Sequence, residues 1–548
     1  MKIGSVCEPR NHERKIKIMK KLSFLLAVVM ILALFVPAIS ITAADATNEA
    51  EIVTADGTKT QYATVAEAVA ALKDGDTLTV IAEDVMIEEP LYICGNNITF
   101  DGGNAVFNFV PLDDGKPLFY VAGGVSLDGE GKNLYLTGGE ADIENLEVGY
   151  VTIKNVNFVP AIDIALGGGK SYMIDVYNMV NLTLENVNGE CLNAINVQAL
   201  RGYGSTVNFV SGSYISNLKD SCPINIKNAT ANFYGGYYQI RLDENNGQQG
   251  RCVGVSGTGV ANIYGGVFVS NTYKDCICPR GGGIANIFGG TYINAWPKSG
   301  EECVRYAYDG GTVNLTFGIY VTNEISSDDN KGVSANTKKM EYTALNGELL
   351  YAAYQKPIPT TALGKTAVAF KGENGSGIRF TSTVTADMIA YAESAKDFGT
   401  ELKYGTVITA ADYLNFEENE DYTISPDELN RQGLAYQDIA AVDGITDNAD
   451  GSVSFNAALV GIQGKNANRD FAAISYVEYV KDGFAVRIYG LYNPAVNKAN
   501  MADLAVAALA DVSLTESATH MYKTADGKYS PYNAEQQAVL AVYASLVK

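Results

Sequence analysis

Charged and aromatic side chains concentrate in three loops of this sequence. The loops have the sequences IRLDENNGQQGR (240–251), SNTYKD (270–275) and NAWPKSGEE (294–302). Two carboxylates held about 5–9 Å apart can hydrolyse a glycosidic bond, and carboxylates that hold Ca²⁺ beside an Arg or Lys base can drive β-elimination from a uronate. The candidate catalytic residues in or next to these loops are Asp243, Glu244, Asp275 and Arg280.

The same loops contain side chains that suit binding without catalysis. Trp296 is the one Trp of the chain, and beside Tyr273 it can stack on the face of a sugar ring. Arg241 and Arg305 add hydrogen-bond donors, so we take these four as candidate ligand-binding residues. The alternative is that the loop charges only solvate this flank and that Trp296 packs on a neighbouring segment. No metal-ligand set is assigned, and calcium is the one cofactor that the elimination chemistry would use.

An internal repeat must position these loops. Five copies read VNFVSGSYIS, ANFYGGYYQI, ANIYGGVFVS, ANIFGGTYIN and VNLTFGIYVT, with 24, 30, 24 and 28 residues between successive Asn residues. Each Asn is followed by an apolar residue, by Gly four positions on and by an aromatic residue six positions on. The anchor residues are Asn208, Asn232, Asn262, Asn286 and Asn314.

A unit of about 24 residues with short strands and Gly bends is typical of a β-solenoid, whose coils stack about 4.8 Å apart. Like positions then form ladders along the axis. We expect Gly at the bends, stacked aromatic rings, and Asn residues that occupy corners in the left-handed conformation and pass amide hydrogen bonds from coil to coil. Insertions at one point of the repeat fall on one flank, so the three loops should line one groove.

Cysteine and histidine are poorly placed for a metal site. The two histidines, His12 and His520, lie outside the repeats, which excludes a His-based zinc site or nucleophile triad there. Because four cysteines follow the repeat, we predict a ladder of buried thiols, with metal binding through the Cys276–Cys278 pair as the alternative. The four, ten or eleven residues before an anchor Asn, are Cys222, Cys252, Cys276 and Cys303.

The segment before the repeats predicts how the solenoid begins. Thr64-Val-Ala-Glu67 is a capping-box sequence that opens a short helix through Leu72, and DGDT (74–77) and NNITFDGGN (96–104) follow. These features resemble the first segment of pectin-lyase-like proteins, and the resemblance covers about residues 50–325. It implies a right-handed parallel β-helix and a superfamily that includes polysaccharide lyases and glycoside hydrolases. The family's WiDH, NTD, GHG and RIK motifs are missing, which favours a protein without that catalytic activity.

The N-terminus predicts secretion. Leu22–Val36 is an apolar run of 15 residues after a Lys cluster, and small residues follow at Thr42–Ala44. We therefore assign residues 1–44 to a presequence with a signal peptide and expect no membrane span after its cleavage. The chain has a net charge of −22, which argues against nucleic acid as a partner.

The second half predicts a different domain. We assign 50–325 to the β-helix, 326–362 to a linker, and 363–548 to a β-sandwich or α+β domain with helices at Asn500–Ala510 and Ala534–Val547. The GIRF, YGTVI and FAAISYV segments resemble an uncharacterised domain found beside repeats in secreted clostridial proteins.

The sequence thus predicts a secreted or cell-surface bacterial protein that binds or adheres to an extracellular polysaccharide or glycan surface. A divergent polysaccharide lyase or glycoside hydrolase, and a structural spacer, remain the alternatives.

Overall fold

The computed structural model describes residues 48–109, 117–123, 148–160, 172–177, 179–190, 193–198, 205–216, 222–240, 250–270, 276–294, 309–322, 338–343, 349–354, 367–370, 376–414, 424–442, 444–490 and 497–547. The predicted signal peptide lies outside these residues. The fold class is confirmed: a parallel β-solenoid is followed by separate β-rich sheets. In the ranges just given, no helix is both long and apolar enough to cross a membrane.

The solenoid strands form three faces, which we name Face 1, Face 2 and Face 3. Face 1 contains Thr77–Val80, Ile98–Asp101, Thr206–Phe209, Thr230–Phe233, Val260–Ile263, Ile284–Ile287 and Thr312–Leu315. Face 2 contains Asp84–Ile87, Val106–Phe109, Ser213–Ser216, Tyr237–Ile240, Val267–Ser270, Thr291–Asn294 and Ile319–Thr322. Face 3 contains Leu91–Cys94, Phe119–Ala122, Tyr172–Tyr177, Asn193–Gln198, Ile224–Lys227, Val253–Ser256 and Ile277–Arg280. Two longer strands, Gly149–Pro160 and Val180–Glu190, run across Faces 1 and 2.

The anchor asparagines form a continuous ladder on Face 1. Asn232 Nδ2 donates to Asn208 Oδ1 over 2.9 Å, and Asn262 Nδ2 donates to Asn232 Oδ1 over 2.9 Å. Asn286 and Asn314 continue the ladder with bonds of 2.8 Å each. The predicted coil-to-coil amide hydrogen bonds are therefore confirmed.

The predicted corner position of these asparagines is wrong. Each lies inside an extended Face 1 strand, such as Thr230–Phe233, and pairs in register with its counterpart on the next coil. The extended strand explains the ladder, because parallel strands about 4.8 Å apart bring one amide within reach of the next. Left-handed backbone occurs instead at other asparagines, including Asn155, Asn186 and Asn228.

The Gly and aromatic columns match their predictions where the structure describes them. Between Face 1 and Face 2 the backbone turns at Gly residues with positive φ, for example 93° at Gly236 and 97° at Gly266. Inside the coil the rings of Tyr214 and Tyr238 stack at 5.4 Å, and those of Tyr238 and Phe268 at 4.8 Å. Such ring pairs contribute about 0.5–1.5 kcal/mol beyond area burial, so this column stabilises coil stacking.

The predicted thiol ladder is present at Cys252 and Cys276. Both side chains are 0 % exposed, and they precede the strands Val253–Ser256 and Ile277–Arg280, which pair in register. The Cys252 Sγ atom lies 3.0 Å from the Val269 carbonyl oxygen, so the thiol donates to the backbone. Cys303 lies outside the described residues.

A capping helix closes the N-terminal end, as predicted. It spans Val65–Ala71, and the Thr64 hydroxyl oxygen accepts a hydrogen bond from the Glu67 backbone nitrogen over 3.1 Å. Two strands, Ala50–Val53 and Lys59–Tyr62, pair antiparallel with each other, and the first also pairs with Thr77–Val80. The first coil is therefore covered by an antiparallel pair and not left as an open edge.

The C-terminal half contains two main antiparallel sheets. One contains the strands Ala367–Phe370, Ser376–Val384, Thr446–Asp447 and Val453–Val460, and the other contains Lys403–Ala410, Tyr436–Ala440, Phe471–Lys481, Phe484–Tyr489 and Lys498–Ala499. A short pair, Tyr522–Lys523 and Tyr529–Ser530, follows. The α-helices span Ala386–Ala395, Pro426–Arg431, Met501–Ala510 and Ala534–Ala544. The last two match predicted helices, and Asn533 and Gln536 form the predicted capping box.

The interval expected to be a linker contributes two strands. Lys338–Thr343 and Leu349–Tyr354 pair with each other, and Leu349–Tyr354 pairs antiparallel with Ile319–Thr322 at the end of Face 2. The parallel strands of Face 2 are therefore followed by an antiparallel pair of strands that lies within residues 326–362.

The C-terminal half packs directly on Face 2. The outward side chains of Ile215, Val269 and Ile293 are at most 1 % exposed and share one apolar cluster with Val477 and Tyr479 of the second sheet. The Face 2 strands Ser213–Ser216, Tyr237–Ile240 and Val267–Ser270 are therefore buried on both sides, whereas the earlier strand Asp84–Ile87 has an exposed outer side.

Candidate functional site

Face 3 presents two outward columns of side chains in register. Side chains alternate along a strand, so the residues on either side of buried Ile93 and Ile226 point away from the coil. One column contains Tyr92, Tyr120, Asp175, Asn225, Gly254 and Cys278, and the other contains Cys94, Ala122, Tyr177, Lys227, Ser256 and Arg280.

The first coils of Face 3 carry an aromatic row. The rings of Tyr92 and Tyr120 stack at 5.0 Å with an interplanar angle of 11°, and the ring of Tyr177 lies 5.9 Å from that of Tyr120. Tyr92 is 44 % exposed. Because neighbouring rings cover one another's faces, the row presents ring edges and hydroxyl groups, and Tyr92 at its first coil is the most exposed of the three rings.

Asp175 lies beside this row and is only 3 % exposed. Its Oδ2 atom accepts a hydrogen bond of 2.6 Å from the Tyr177 hydroxyl, while its Oδ1 atom has no hydrogen-bond partner among the described residues. Burial raises the pKa of the Asp175 carboxyl to about 7, and the hydrogen bond from Tyr177 opposes that rise. A buried carboxyl oxygen without a partner costs free energy of folding.

Arg280 is the predicted site residue that the structure describes. It ends the strand Ile277–Arg280, is exposed, and lies in the same outward column as Lys227. The other predicted site residues lie outside the described residues: Arg241, Asp243, Glu244, Tyr273, Asp275, Trp296 and Arg305.

The points where the three loops join the coil are described. Ile240, Ser270 and Asn294 are in register on Face 2, and Val253 and Ile277 are in register on Face 3, so the loops between them share one corner. The expectation that these insertions fall on one flank is therefore met at their attachment points.

Arg280 lies at the far edge of Face 3 from that corner. Three residues of extended strand, about 10 Å, separate it from Ile277, where the preceding loop returns. A groove that includes both Arg280 and the loop residues must therefore cross the width of Face 3.

A second concave surface lies between the solenoid bends and the C-terminal half, and we name it the interdomain cleft. It is a cavity of about 290 Å³. The solenoid side contains the bends at Ser211, Gly236 and Gly266. The C-terminal side contains Pro426, Asp427, Asn430, Tyr436, Asp438, Glu478, Ala485, Arg487 and Tyr489.

One arginine organises the C-terminal wall of the interdomain cleft. The Arg487 Nε atom donates to Glu478 Oε2 over 2.8 Å, and an Arg487 terminal nitrogen donates to Asp438 Oδ2 over 2.6 Å. The guanidinium also lies 4.2 Å above the ring of Tyr476, whose hydroxyl donates to Asp438 Oδ1 over 2.8 Å. Both carboxylates therefore serve as hydrogen-bond acceptors for Arg487.

The short helix Pro426–Arg431, which we name the docking helix, attaches this wall to the solenoid. Asp427 Oδ1 accepts from the Gly212 backbone nitrogen over 2.7 Å, and Glu428 Oε2 accepts from the Ser213 hydroxyl over 2.7 Å. Arg431 holds Glu428 through two further bonds of 2.8 and 2.7 Å.

The pKa values of the two acidic residues of the docking helix are shifted in opposite directions. Burial raises the pKa of Asp427 to about 6, against hydrogen bonds from the backbone N–H groups of Gly212 and Gly236. Burial also acts to raise the pKa of Glu428, but the hydrogen bond and charge of Arg431, with Ser213 and Gln432, lower it overall. The docking helix therefore carries one firmly ionised carboxylate and one that gains a proton near pH 6.

The interdomain cleft is not predictable from a local sequence pattern, because its two walls are more than 200 residues apart along the chain. One signal was present. The Face 2 strands SYIS, VFVS and IYVT carry apolar residues on both sides, which is typical of a strand covered by a second layer.

In the part of the chain that the structure describes, no three acidic, His or Cys side chains converge on a possible metal position. Comparisons with protein-family models, with curated proteins and with solved structures gave no match for this chain.

Proposed function

We propose that this is a secreted bacterial protein of the pectin-lyase-like type that binds an extracellular polysaccharide along Face 3 without cleaving it. The proposal rests on the two outward columns of Face 3. The first coils carry Tyr92, Tyr120 and Tyr177, with Asp175 beside them. The later coils carry Lys227 and Arg280. Secretion rests on the apolar run Leu22–Val36 and its Lys-rich flank.

The geometry of Face 3 suits an extended chain. Seven strands about 4.8 Å apart give a straight surface of about 29 Å, and successive coils repeat the same outward position. A polymer that lies along this surface can therefore contact Tyr92 at one end and Lys227 and Arg280 toward the other. Tyrosine hydroxyls supply hydrogen bonds, and the exposed ring of Tyr92 supplies one stacking contact.

The number of carboxylates on the outer side of Face 3 favours binding over hydrolysis. Among the outward positions of Face 3 whose side chains the structure describes, Asp175 is the single carboxylate. Glycoside hydrolysis normally uses two carboxylates about 5–9 Å apart. Hydrolysis remains the second candidate function, because a carboxyl with a pKa of about 7 is typical of a general acid. The second carboxylate would then come from Asp243, Glu244 or Asp275 in the loops.

Affinity electrophoresis in gels that contain neutral or acidic polysaccharides tests the proposal with the purified mature chain. We expect retardation by at least one polysaccharide, weakened about tenfold or more in Tyr92→Ala and unchanged in Tyr522→Ala. Tyr522 is a matched control because it is 39 % exposed, close to the 44 % of Tyr92, and lies in the C-terminal half.

Two results would overturn the proposal. If none of the polysaccharides retards the protein, a structural spacer becomes the better explanation of the solenoid. Release of new reducing ends or unsaturated products, abolished by Asp175→Asn, would replace binding with cleavage. Weaker retention in Trp296→Ala would show that the loops extend the binding surface beyond Face 3.

A further inference from the structure

The interdomain cleft is a separate feature from Face 3. It lies at the bends between Face 1 and Face 2, whereas Face 3 is the third side of the coil. Its walls come from the solenoid bends and from the second C-terminal sheet, so it exists only because the two halves pack together. Small-molecule sites are common at such domain interfaces, and a cavity of about 290 Å³ is at the small end of their size range.

Each carboxylate that lines the interdomain cleft already has a partner, and Lys403 also pairs with Glu478 over 3.3 Å. Arg487 pairs with both Glu478 and Asp438, and Asp427 binds backbone N–H groups of the solenoid. A cationic ligand would compete with Arg487 for the same carboxylates. An anionic ligand would face three carboxylates with one guanidinium between them. Neither charge is therefore favoured, and a neutral ligand costs the least desolvation.

The hydrogen-bonding groups of the cleft alternate between pure acceptors and donors. Carboxylate oxygens of Asp427, Asp438 and Glu478 only accept, while the guanidinium of Arg487 only donates. The Tyr436 hydroxyl is hydrogen-bonded to Asn430, and the Tyr489 hydroxyl to Arg487. Hydroxyl groups both donate and accept, so several hydroxyls on one small ring match this lining better than an amine or a carboxylate does.

We propose that the interdomain cleft binds one neutral sugar residue, as a second carbohydrate site distinct from Face 3. The Tyr489 ring and the Pro426 side chain line the cleft and supply apolar contacts for a sugar ring. The ligand is a free neutral hexose, a chain end or a single-residue branch, because the cavity has no room for a longer oligosaccharide. The inference does not depend on polysaccharide binding at Face 3.

Ligand-observed NMR on the full mature chain tests this site. The probes are the neutral methyl glycosides of glucose, galactose and mannose, with glucuronate and glucosamine as charged counterparts of the same size. We expect at least one neutral glycoside to bind with a dissociation constant in the millimolar range and to outcompete both charged probes. Binding of a charged probe in preference to every neutral one would overturn the inference, as would no binding at all.

Two substitutions locate the site. Ala485 is exposed and lines the cleft, so Ala485→Trp should fill it and weaken glycoside binding at least tenfold, and Ala485→Ser serves only as the folding control at this position. Tyr436→Phe should weaken binding severalfold by removing one hydroxyl. Tyr92→Phe on Face 3 should leave it unchanged, and unaltered binding in Ala485→Trp would overturn the assignment.

The outcomes at the two sites are separable. Loss of polysaccharide retention in Tyr92→Ala with glycoside binding retained, and the reverse in Ala485→Trp, would establish two independent sites. Because thermal unfolding of Ala485→Trp and Ala485→Ser can be compared directly, a folding defect is distinguished from a blocked cavity.

Discussion

The Asp427 Oδ1 atom accepts a hydrogen bond of 2.7 Å from the backbone nitrogen of Gly212, which joins the docking helix to a bend of the solenoid. The N–H of Gly236, one coil further on, binds the same carboxylate. One side chain of the C-terminal half therefore connects two successive coils.

This carboxylate should make stability depend on pH. Burial raises the pKa of Asp427 from 3.8 to about 6, so the folded protein binds more protons than the unfolded chain between these values. The stabilisation is fully present below about pH 4 and is lost as pH rises to about 6, by at most about 3 kcal/mol. We expect Tm to fall over this range, and to fall less in Asp427→Asn. Equal slopes in the two proteins would contradict the prediction.

Glu428 should contribute more to stability than an exposed acidic residue does. Glu428 is 3 % exposed, and its removal leaves the Arg431 charge half-enclosed at the interface. We expect Glu428→Ala to lower the free energy of unfolding by about 3 kcal/mol, measured by urea denaturation. Asp412→Ala, which removes a solvent-exposed pair with Arg469, is the control and should cost less than about 1 kcal/mol. Similar losses of unfolding free energy in both variants would refute the larger contribution of the buried Glu428.

Two tyrosines of the aromatic column should respond oppositely to loss of the hydroxyl. The Tyr238 hydroxyl donates to the Gly235 carbonyl oxygen over 2.9 Å, whereas the buried Tyr214 hydroxyl has no hydrogen-bond partner in the part of the chain that the structure describes. We expect Tyr238→Phe to destabilise the fold by about 1 kcal/mol and Tyr214→Phe to be neutral or stabilising. Thermal and urea unfolding of the two variants measure the difference, and a larger loss in Tyr214→Phe would be the contrary result.

Substitution of an asparagine in the middle of the ladder should lower the free energy of unfolding more than substitution at its end. Asn262 donates to Asn232 and accepts from Asn286, whereas Asn314 is exposed and donates to Asn286 alone. We expect Asn262→Ala to cost about 2 kcal/mol and Asn314→Ala about half of that, measured by urea denaturation. Asn262→Asp retains the acceptor and removes the donor, so it should lie at or above the cost of Asn262→Ala. Equal effects at positions 262 and 314 would argue against a cooperative ladder.

The solenoid could be predicted because its stabilising contacts repeat. Asn232 and Tyr238 bind the equivalent residues of the adjacent coil, so each contact leaves a mark at a fixed spacing in the sequence. The conformation of the anchor asparagines was mispredicted, because amide ladders and left-handed corners use the same residue type.

The interdomain cleft could not be predicted in this way. The contact between Asp427 and Gly212 occurs once and joins segments 215 residues apart. Nothing near either residue in the sequence identifies its partner. Only the apolar outer side of Face 2 indicated that another layer would cover it, and that pattern does not specify which layer.

Because the C-terminal half covers part of Face 2, local unfolding of the solenoid should differ from that of an isolated stack of coils. A stack of coils on its own can fray one coil at a time from either end. Here the C-terminal half contacts residues from the Gly212 bend to Phe317, so coils in this interval must open together with it. Amide hydrogen exchange should therefore occur in one slow, concerted block across this interval, while the coils before residue 180 exchange independently and sooner.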